Sequence, residues 1–420
     1  MIIKQQIKKL LSEKFTRNIG WLGLAELVQR IFRLATTVTL ARVFTPHDYG
    51  MVSAIYTIFE FANTFSLKTG IGAKIIQATE QELKSICNTS YWLNWILFCS
   101  LFVIQFLCAY SISAFYGDSG LILPIRTLGL IYLMFPIFLV QSALIERENR
   151  LEVKALGNAM HGILCNIMVV IFAISGMGVW AVVWSMVITY PVWIVITYIK
   201  HPWRPSINFS LNQWREITKF GTKALGVELL QKLRMNIDYL LVARFLGTDA
   251  LGIYFFAFNA GLGISQSVLS GLSSAWYPHF CEARTDLKLL KQRFLGSLKN
   301  IAVIVVPLVI LQTSLAHFYV PIIFGQKWAT GVPLLILICF CAVPIALSNA
   351  TTQLLQAIDK AHIDLAWNLI FTLFFGISLM TVVKGGIYWV AVSVLVTQIV
   401  AIPIFTMWVT RYVFKSNLLK

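Results

Sequence analysis

Apolar runs long enough to cross a lipid bilayer recur along the whole chain, with short polar stretches between them. About 20 apolar residues cover the hydrocarbon layer as a helix, so this pattern predicts an all-α integral membrane protein with about 12 transmembrane helices. Sheet-based enzyme folds are excluded, because a segment in lipid must satisfy its backbone hydrogen bonds as a helix or a closed barrel. The predicted helices cover residues 18–44, 49–77, 86–115, 121–145, 154–175, 178–199, 219–246, 250–277, 296–324, 330–357, 361–383 and 386–413.

The first predicted helix carries a polar stripe on an otherwise apolar surface, and the stripe begins at Glu26. At about 100° per residue, Arg30, Arg33 and Thr37 fall within about 40° of the Glu26 direction. A charge that faces lipid at mid-bilayer costs about 2.5–3.5 kcal/mol even on the mildest scales. We therefore expect the stripe to face protein or a water-filled cavity.

The second and seventh predicted helices also carry charges inside apolar runs. Cations outnumber carboxylates among these groups, so the cavity is predicted to be positively biased and to attract an anion. Arginine suits phosphate in particular, because its guanidinium donates two parallel hydrogen bonds. The candidate substrate-binding cations are Arg30, Arg33, Lys68, Lys74, Lys232 and Arg234. The candidate residues for charge pairing or ion coupling are Glu26, Glu60, Glu228 and Asp238.

Several of these residues also have a purely structural interpretation. Glu26 is spaced to pair with Arg30 at i and i+4 along one helix, and such a pair would only hold helix bundles together. Glu228 and Lys232 have the same spacing. Lys74 lies near a predicted helix end, where its side chain can reach the headgroups instead of a cavity.

Composition favours a membrane protein over a nucleic-acid-binding one. The 420 residues are 58% hydrophobic and 12% charged, against about 25% charged in soluble proteins. The net charge is +16, and the basic residues concentrate in the loops on one side of the predicted topology. The loops on the other side hold Arg42, Arg244, Lys327 and Lys384. By the positive-inside rule, this asymmetry predicts cytoplasmic N- and C-termini, and no nucleic-acid partner is expected.

The two halves of the chain repeat one another. The segment E-L-V-Q-R-I at 26–31 recurs as E-L-L-Q-K-L at 228–233, and the same offset pairs Gly50 with Gly252. Parallel repeats of this kind are a known transporter plan, with the substrate path between the halves. We expect two pseudo-symmetric six-helix lobes. The expected domains are a cytoplasmic amphipathic N-terminus (1–17), an N-lobe (18–200), a cytoplasmic interfacial linker (201–218), a C-lobe (219–414) and a cytoplasmic tail (415–420).

No enzymatic motif is present in the sequence. The chain lacks H-E-x-x-H, a Walker loop and G-x-S-x-G, which mark hydrolytic or nucleotide chemistry. Its seven cysteines lie mostly in apolar runs without paired C-x-x-C spacing, a pattern that does not indicate a metal site or disulfides. We therefore expect a protein that is not an enzyme and has no cofactor or metal. H⁺ or Na⁺ is the candidate coupling ion, carried by the intramembrane carboxylates.

Four stretches of the chain form motifs: A-R-V-F-T-P-H-D-Y-G at 41–50, G-I-G-A-K-I-I-Q at 70–77, L-I-E-R-E-N-R at 144–150 and G-V-W-A-V-V at 178–183. Together they resemble the Wzx-type polysaccharide flippases of the multidrug, oligosaccharidyl-lipid and polysaccharide (MOP) exporter superfamily. The family often has an acidic residue at the position of Lys68, so no acidic role is carried over to it.

The resemblance implies a MATE-like, V-shaped pair of six-helix lobes. It implies that the protein moves an undecaprenyl-pyrophosphate-linked oligosaccharide across the bacterial inner membrane by alternating access. Such a cargo is an O-antigen, capsule or exopolysaccharide repeat unit. The expected partners are this lipid-linked oligosaccharide, membrane lipids, a polysaccharide polymerase and glycosyltransferases.

Two other functions compete with the flippase. A cation-coupled multidrug exporter of the same superfamily would need a net acidic, aromatic-lined cavity, whereas the cavity predicted here is net basic. A membrane-embedded glycosyltransferase or polymerase commonly carries a long catalytic loop outside the membrane, and no predicted outer loop is longer than about a dozen residues. The flippase therefore ranks first.

Overall fold

The computed structural model describes residues 15–66, 68–206 and 209–415, and in these residues it contains helices and no β-strand. Residues 1–14 and 416–420, which include most of the predicted N-terminal segment and tail, lie outside the described residues. The helices are α1 (Phe15–Val43), α2 (Pro46–Phe65), α3 (Lys68–Gln77), α4 (Glu80–Tyr116), α5 (Ile122–Leu128), α6 (Leu130–Arg147), α7 (Leu151–Ile174), α8 (Trp180–Thr189), α9 (Pro191–Lys200), α10 (Trp214–Ala283), α11 (Leu287–Asn300), α12 (Val306–Tyr319), α13 (Val332–Phe340), α14 (Ala342–Ala357), α15 (Ala361–Val382) and α16 (Ile387–Lys415). Short 3₁₀ or π turns lie at Ser119–Leu121, Ile301–Val305, Val320–Phe324, Gln326–Gly331 and Val383–Gly385.

The all-α membrane architecture predicted from the apolar runs is confirmed. Within the described residues, nine helical stretches are long and apolar enough to cross a membrane. The first two predicted helices are also helical, as α1 and as α2 with α3, but they are not among the nine. These are the segments that carry Glu26, Arg30, Arg33 and Glu60, so the least apolar helices of the first half are those that hold its candidate site.

Some helix ends differ from the predicted ones. The third predicted helix of each half begins earlier than its apolar run: α4 starts at Glu80, and α11 starts at Leu287. Asp286 caps α11 by accepting hydrogen bonds from two backbone N–H groups, those of Lys288 and Leu289. Hydropathy marks only the part of a helix that lipid covers, so polar first turns outside the membrane go unpredicted.

The kink in α10 is the second difference from the predicted elements. The seventh and eighth predicted helices both lie in α10 and meet at Gly247, whose backbone is not helical (φ 85°, ψ 175°). A residue without Cβ adopts this backbone readily, so the chain turns there with almost no loop. This glycine separates the seventh predicted helix from the eighth.

The repeat seen in the sequence is also present in the turns. Three turns of the first half have a counterpart in the second half, and each of the six contains a residue at positive φ. The pairs are Gly117 with Gly325, Asn149 with Asp359, and Gly178 with Gly386. Asn and Asp are the non-glycine residues that adopt this conformation most readily. In the second pair the hydrogen bonds match as well, because Arg150 N bonds to Ile145 O and Lys360 N bonds to Leu355 O.

The chain divides into two compact units. Unit 1 comprises residues 1–44 and 54–229, and unit 2 comprises residues 45–53 and 230–420. The first turns of α2 thus belong to unit 2, although the chain on both sides of them belongs to unit 1.

The core of unit 1 centres on aromatic rings between α4 and the α5–α6 segment. Phe98 stacks on Phe135 with ring centroids 4.9 Å apart. The Tyr132 hydroxyl donates to Gln105 Oε1 at 2.9 Å, and Gln105 Nε2 donates to Ile125 O at 2.8 Å. These buried hydrogen bonds satisfy polar groups that would otherwise cost about 1–3 kcal/mol each, and they set the register of α4 against its neighbours.

The core of unit 2 combines a stacked aromatic pair with paired polar side chains. Trp328 is 1% exposed and stacks on Phe256 at 4.1 Å between centroids. The Ser265 hydroxyl donates to Gln312 Oε1 at 2.7 Å. Ser265 therefore serves helix packing within this unit.

Candidate functional site

The charged stripe of α1 lies beside the face by which α1 packs on α7. That packing face is marked by two hydrogen bonds: Gln29 Nε2 donates to Asn158 O, and Thr36 Oγ1 donates to Asn166 O at 3.3 Å. Arg30 is half-buried and Arg33 is exposed. The guanidinium of Arg33 is therefore outside the packed α1–α7 interface. The side chain of Glu26 lies outside the described residues.

A polar surface in unit 1 joins α1 to α2 and α7. The Tyr56 hydroxyl on α2 lies within electrostatic range of both Arg33 and Cys165. Glu60, one turn further along α2, is half-buried. On α7, His161 lies 4.8 Å from Tyr190 between ring centroids. Unit 1 thus brings a predicted cation and other polar side chains of three helices into one region.

Lys74 has a partner in the part of α10 that belongs to unit 1. Its Nζ lies 2.5 Å from Glu216 Oε1, and the lysine side chain is 18% exposed. The two helices touch at Gly70, where an added Cβ would lie 2.3 Å from Gly221 Cα. The G-x-G-A-K motif therefore provides both a close helix crossing and an ion pair. The side chain of Lys68 lies outside the described residues.

In unit 2, Arg234 belongs to a polar network on three helices. The guanidinium of Arg234 on α10 donates to Asn368 Oδ1 on α15. Asn368 Nδ2 donates to Asp364 Oδ2 at 3.1 Å, and Thr352 Oγ1 on α14 donates to Asp364 Oδ1 at 2.8 Å. Asp364 also interacts electrostatically with Arg234. Arg234, predicted to bind substrate, thus interacts with an amide (Asn368) and a carboxylate (Asp364) of its own unit.

Asp238 forms a separate and more deeply buried site. It is 4% exposed, and it accepts hydrogen bonds from the Tyr254 hydroxyl at 2.8 Å and from the Tyr239 backbone N–H. Glu228 and Lys232 are half-buried further back on α10. The structure therefore separates the candidate charges of α10 into at least two environments.

Asp364 and Asn368 were not predicted as site residues. A signal for them exists in the sequence, because they lie at i and i+4 on one face of an otherwise apolar helix. The local spacing pairs Asp364 with Lys360, four positions earlier, so nothing near it in the sequence pointed to Arg234.

The end of unit 1 that is predicted to face the cytoplasm carries a second group of charges, which we call the helix-end cluster. It comprises Glu146, Arg147, Glu148, Arg150, Lys154 and His201. At its centre, Arg147 Nη1 lies 2.5–3.1 Å from the carbonyl oxygens of Ile75, Ile76 and Ala78, and Nη2 lies 2.6 Å from Glu80 Oε1. Carbonyls at a helix C-terminus lack intrahelical partners, so one guanidinium caps α3 and joins it to α4.

The remaining members of the helix-end cluster connect α6, α7 and α9. Glu148 is bound by Arg150 at 3.1 Å and by His201 at 3.1 Å, and Arg150 Nη1 also donates to Lys200 O. Partial burial raises the pKa of Glu148, but the hydrogen bond from Arg150 and the charge and hydrogen bond of His201 outweigh this effect, so the pKa lies below its usual value. The L-I-E-R-E-N-R motif therefore forms contacts among five helix ends, those of α3, α4, α6, α7 and α9.

The family of the chain follows from comparison with known proteins. Residues 39–333 match the family model described as "Polysaccharide biosynthesis protein", so the chain belongs to that family. It is similar to the teichuronic acid biosynthesis protein TuaB of Bacillus subtilis, with 26% identity over 97% of this chain and 84% of the relative. It is also similar to the lipopolysaccharide biosynthesis protein WzxC of Escherichia coli, with 25% identity over 90% of this chain and 76% of the relative.

Solved structures share its fold. An inward-facing multidrug-resistance MATE transporter of the MOP superfamily has a TM-score of 0.74 at 14% identity, covering 95% of this chain and 99% of that chain. The lipid II flippase MurJ in an inward closed conformation has a TM-score of 0.74 at 13% identity, covering 94% of this chain and 87% of that chain. The resemblance to a family of polysaccharide biosynthesis proteins, expected from four motifs, is thus confirmed, and so is the expected likeness of the fold to MATE structures.

Arg147→Lys is expected to open the α3–α4 junction. Lysine keeps the charge but cannot reach three carbonyls and a carboxylate with one planar group, and we expect a loss of about 2–3 kcal/mol. Hydrogen–deuterium exchange of peptides covering residues 74–82 measures the opening. Arg411→Lys, an exposed arginine near the end of α16, is the matched control. Unchanged protection in Arg147→Lys would contradict the capping role.

The contacts of Glu148 are expected to weaken in acid. A carboxylate whose pKa is lowered by folding stabilises the folded state above its unfolded pKa of about 4.3, and this stabilisation is lost as the pH falls through the folded value. Exchange in peptides covering 147–151 and 198–204, corrected for intrinsic rates, should rise below about pH 4. Glu148→Gln should remove this dependence, whereas Glu152→Gln, at an exposed carboxylate, should retain it.

Asp364→Asn is expected to destabilise unit 2. The variant keeps the shape of the side chain but removes the negative charge beside Arg234, at an expected loss of about 1–3 kcal/mol. The apparent Tm of the purified protein measures the effect. Asp359→Asn is the control, because that exposed turn residue has φ 59°, which asparagine tolerates. Equal Tm values for the two variants would show that Asp364 contributes no net pairing.

Proposed function

We propose that this protein is a flippase that moves an undecaprenyl-pyrophosphate-linked oligosaccharide across the bacterial inner membrane by alternating access. The observation that carries the proposal is the arginine pair on α1. Arg30 and Arg33 lie on the polar stripe of this helix, and Arg33 stays outside the α1–α7 interface. Two guanidinium groups one helical turn apart suit a diphosphate, since each donates paired hydrogen bonds to phosphate oxygens.

The comparisons support this choice of substrate class. The family is one of polysaccharide biosynthesis proteins, TuaB and WzxC are named for teichuronic acid and lipopolysaccharide biosynthesis, and MurJ is a lipid II flippase. A polysaccharide precursor on a lipid carrier combines an anionic linker with neutral or polar sugars. A fold of apolar helices with a few intramembrane cations matches that chemistry.

We infer that the protein acts by transport and not by catalysis. The predicted topology puts both termini in the cytoplasm, and the helix-end cluster then lies where the cargo is assembled. The proposed partners are glycosyltransferases, which supply the lipid-linked unit, and a polysaccharide polymerase, which consumes it after translocation.

Ion coupling is the second part of the proposal. Asp238 is buried with two hydrogen-bond donors, and Asp364 lies beside Arg234. Carboxylates in membrane helices are rare and commonly mark ion or proton pathways. We propose that H⁺ or Na⁺ acts through these carboxylates, with Glu26, Glu60 and Glu228 as further candidates. Transport by purified protein that ignored both pH and sodium gradients would refute the coupling.

A multidrug exporter is the competing function, and the MATE-like fold favours it. An organic cation would be repelled by the exposed guanidinium of Arg33. Transport assays with a fluorescent organic cation and with a lipid-linked oligosaccharide separate the two functions.

Arg30→Ala and Arg33→Ala are each expected to block translocation. Loss of charge-assisted hydrogen bonds to phosphate, at about 1.5–3 kcal/mol, corresponds to about a 10–100-fold weaker apparent affinity. The initial rate of lipid-linked oligosaccharide transfer in proteoliposomes measures this. In cells, complete repeat units on their lipid carrier should accumulate on the cytoplasmic side.

Arg42→Ala is the matched control for both variants, because it removes an exposed arginine from the end of the same helix. All three variants should insert and purify like the wild type. Full transport by Arg30→Ala and Arg33→Ala together would refute the proposed role of α1.

A further inference from the structure

Arg126 is a cation in a membrane-spanning stretch to which the candidate site gives no role. It lies on α5, four residues after the helix begins at Ile122, and its side chain is half-buried. Its Nε–H donates to the backbone oxygen of Phe106 on α4 at 3.3 Å, and its guanidinium carbon lies 4.4 Å from the centroid of the Phe106 ring. A guanidinium is attracted to the π electrons of a ring face. Both contacts hold the side chain of Arg126 against α4.

These contacts leave the charge of Arg126 without a counter-charge. A guanidinium carries five N–H donors, and within residues 15–66, 68–206 and 209–415 only the Nε–H of Arg126 has an acceptor. In the same residues it forms no ion pair with a carboxylate. Cations in membrane helices are costly and are normally paired. The four N–H donors on Nη1 and Nη2 are therefore a capacity for binding an anion that the described protein does not fill.

The exposed surface on both sides of Arg126 is apolar. Leu123 and Leu130 are exposed, and they lie three residues before and four residues after Arg126, on one face of the helix that runs from α5 into α6. On α4, Val103 and Leu107 are exposed as well. A membrane protein presents such side chains to acyl chains, because exposing them to water is unfavourable. Arg126 therefore lies in a surface that lipid covers.

An exposed tyrosine marks the depth of Arg126 in the membrane. Tyr110 lies one helical turn beyond Phe106, toward the end of α4 that is predicted to face outward, and it is 69% exposed. Tyrosine is enriched where the headgroups meet the hydrocarbon, since its ring is apolar and its hydroxyl is polar. One turn is about 5 Å, so the Arg126 guanidinium lies just inside this boundary. A lipid phosphate and a long basic side chain can meet at that depth.

The chemistry of the surroundings selects among anions. One guanidinium matches the single negative charge of a phosphodiester, and its paired N–H donors match two phosphate oxygens. A free anion would have to leave water to reach this apolar surface, whereas a phospholipid places its phosphate at the boundary and its acyl chains on the helices. A diphosphate carries more charge and is better matched by the two arginines of α1, Arg30 and Arg33. The observations therefore favour a phospholipid over free phosphate and over the proposed cargo.

We propose that Arg126 and Phe106 form a binding site for the phosphate of an anionic phospholipid of the phosphatidylglycerol class. The phosphate accepts hydrogen bonds from Nη1 and Nη2, and the acyl chains lie on the exposed leucine and valine side chains of α4, α5 and the start of α6. The bound lipid joins α4 to α5 and so stabilises unit 1. The site does not depend on the proposed function, and the predicted topology enters only in assigning it to the outer leaflet.

Photocrosslinking locates the bound lipid. The purified full-length protein in mixed micelles receives a limiting amount of phosphatidylglycerol that carries a diazirine next to its glycerol. The labelled peptides should cover residues 103–110 and 123–130. Arg126→Met keeps a long apolar side chain but removes the donors, and it should lower the labelling of these peptides about tenfold or more, the effect of losing charge-assisted hydrogen bonds. Unchanged labelling in Arg126→Met would overturn the site.

Arg244→Met is the matched control, because it removes an exposed arginine that is also predicted to lie on the outer side. It should be labelled in the same peptides and to the same extent as the wild type. A phosphatidylcholine probe should label these peptides about tenfold less, because its choline group neutralises the phosphate. Equal labelling by both probes would show that the surface recognises acyl chains alone, which would overturn the phosphate site.

Competition identifies the source of the phosphate. Unlabelled phosphatidylglycerol should displace the probe, whereas inorganic phosphate and lipid-linked oligosaccharide at the same concentration should not. Displacement by inorganic phosphate would make this a site for free anions, and stronger displacement by the lipid-linked oligosaccharide would assign it to the cargo. Either result would overturn the phospholipid as the ligand.

Thermal unfolding measures the stabilising effect of the lipid. A ligand that binds only the folded protein raises its apparent Tm, so phosphatidylglycerol should raise the Tm of the wild type more than phosphatidylcholine does. In Arg126→Met the two lipids should have equal effects. A wild type whose Tm did not distinguish the two lipids would contradict the proposal that the bound phosphate stabilises unit 1.

Phe106→Leu keeps the test decisive if Arg126→Met does not fold. It retains the charge and an apolar side chain but removes the ring beside the guanidinium. Labelling by the phosphatidylglycerol probe should fall about two- to fivefold, as expected for the loss of a cation–π contact that holds the guanidinium in place. Labelling equal to that of the wild type would show that Phe106 does not belong to the site.

Discussion

In the interior of a membrane, a charged or polar side chain is stable only where the protein supplies its partner. This constraint explains the internal order of both units. Asp238 has a tyrosine hydroxyl and a backbone N–H, and Asp364 has a threonine, an asparagine and the nearby Arg234. In unit 1 the buried hydrogen bond of Tyr132 with Gln105 sets helix register in the same way. Helices that carry such groups must pack in one arrangement, because any other would leave a group without its partner.

The internal repeat shows which features the fold requires and which the function can vary. Turns with positive φ recur in both halves, and the Asn149 and Asp359 turns share their hydrogen bonds. Gly50 and Gly252 recur because each lies against a carbonyl oxygen. Some charges recur, since Glu26 and Arg30 correspond to Glu228 and Lys232, but others do not. His47 corresponds to Asp249, and within unit 2 His47 Nδ1 lies 2.8 Å from Asp249 Oδ1.

The candidate charges differ in their surroundings, and this difference bears on function. Lys74 is paired and mostly buried, so it stabilises the contact of α3 with α10. Arg234 donates to the neutral amide of Asn368 and interacts with the Asp364 carboxylate. An anionic ligand at Arg234 would therefore compete with these two partners. Arg33 is exposed and near Tyr56. Of these three cations Arg33 is the one whose side chain is exposed, and this is the reason that the function is assigned to α1.

The sequence by itself determined the membrane class, the helix order, the repeat and the charged stripe of α1. The runs and the stripe are visible as periodicity within one helix, and the repeat is visible because the same residues recur in the same order at a constant offset. Only the tertiary structure decided the partners. Arg234 meets Asn368 across 134 positions, and Lys74 meets Glu216 across 142. Such pairs leave no local pattern, because a partner on another helix is chosen by packing and not by spacing along the chain. The glycine pair Gly50 and Gly252 combines both kinds of information, since the two glycines are visible as a repeat but their contacts with Thr248 O and Pro46 O exist only in three dimensions.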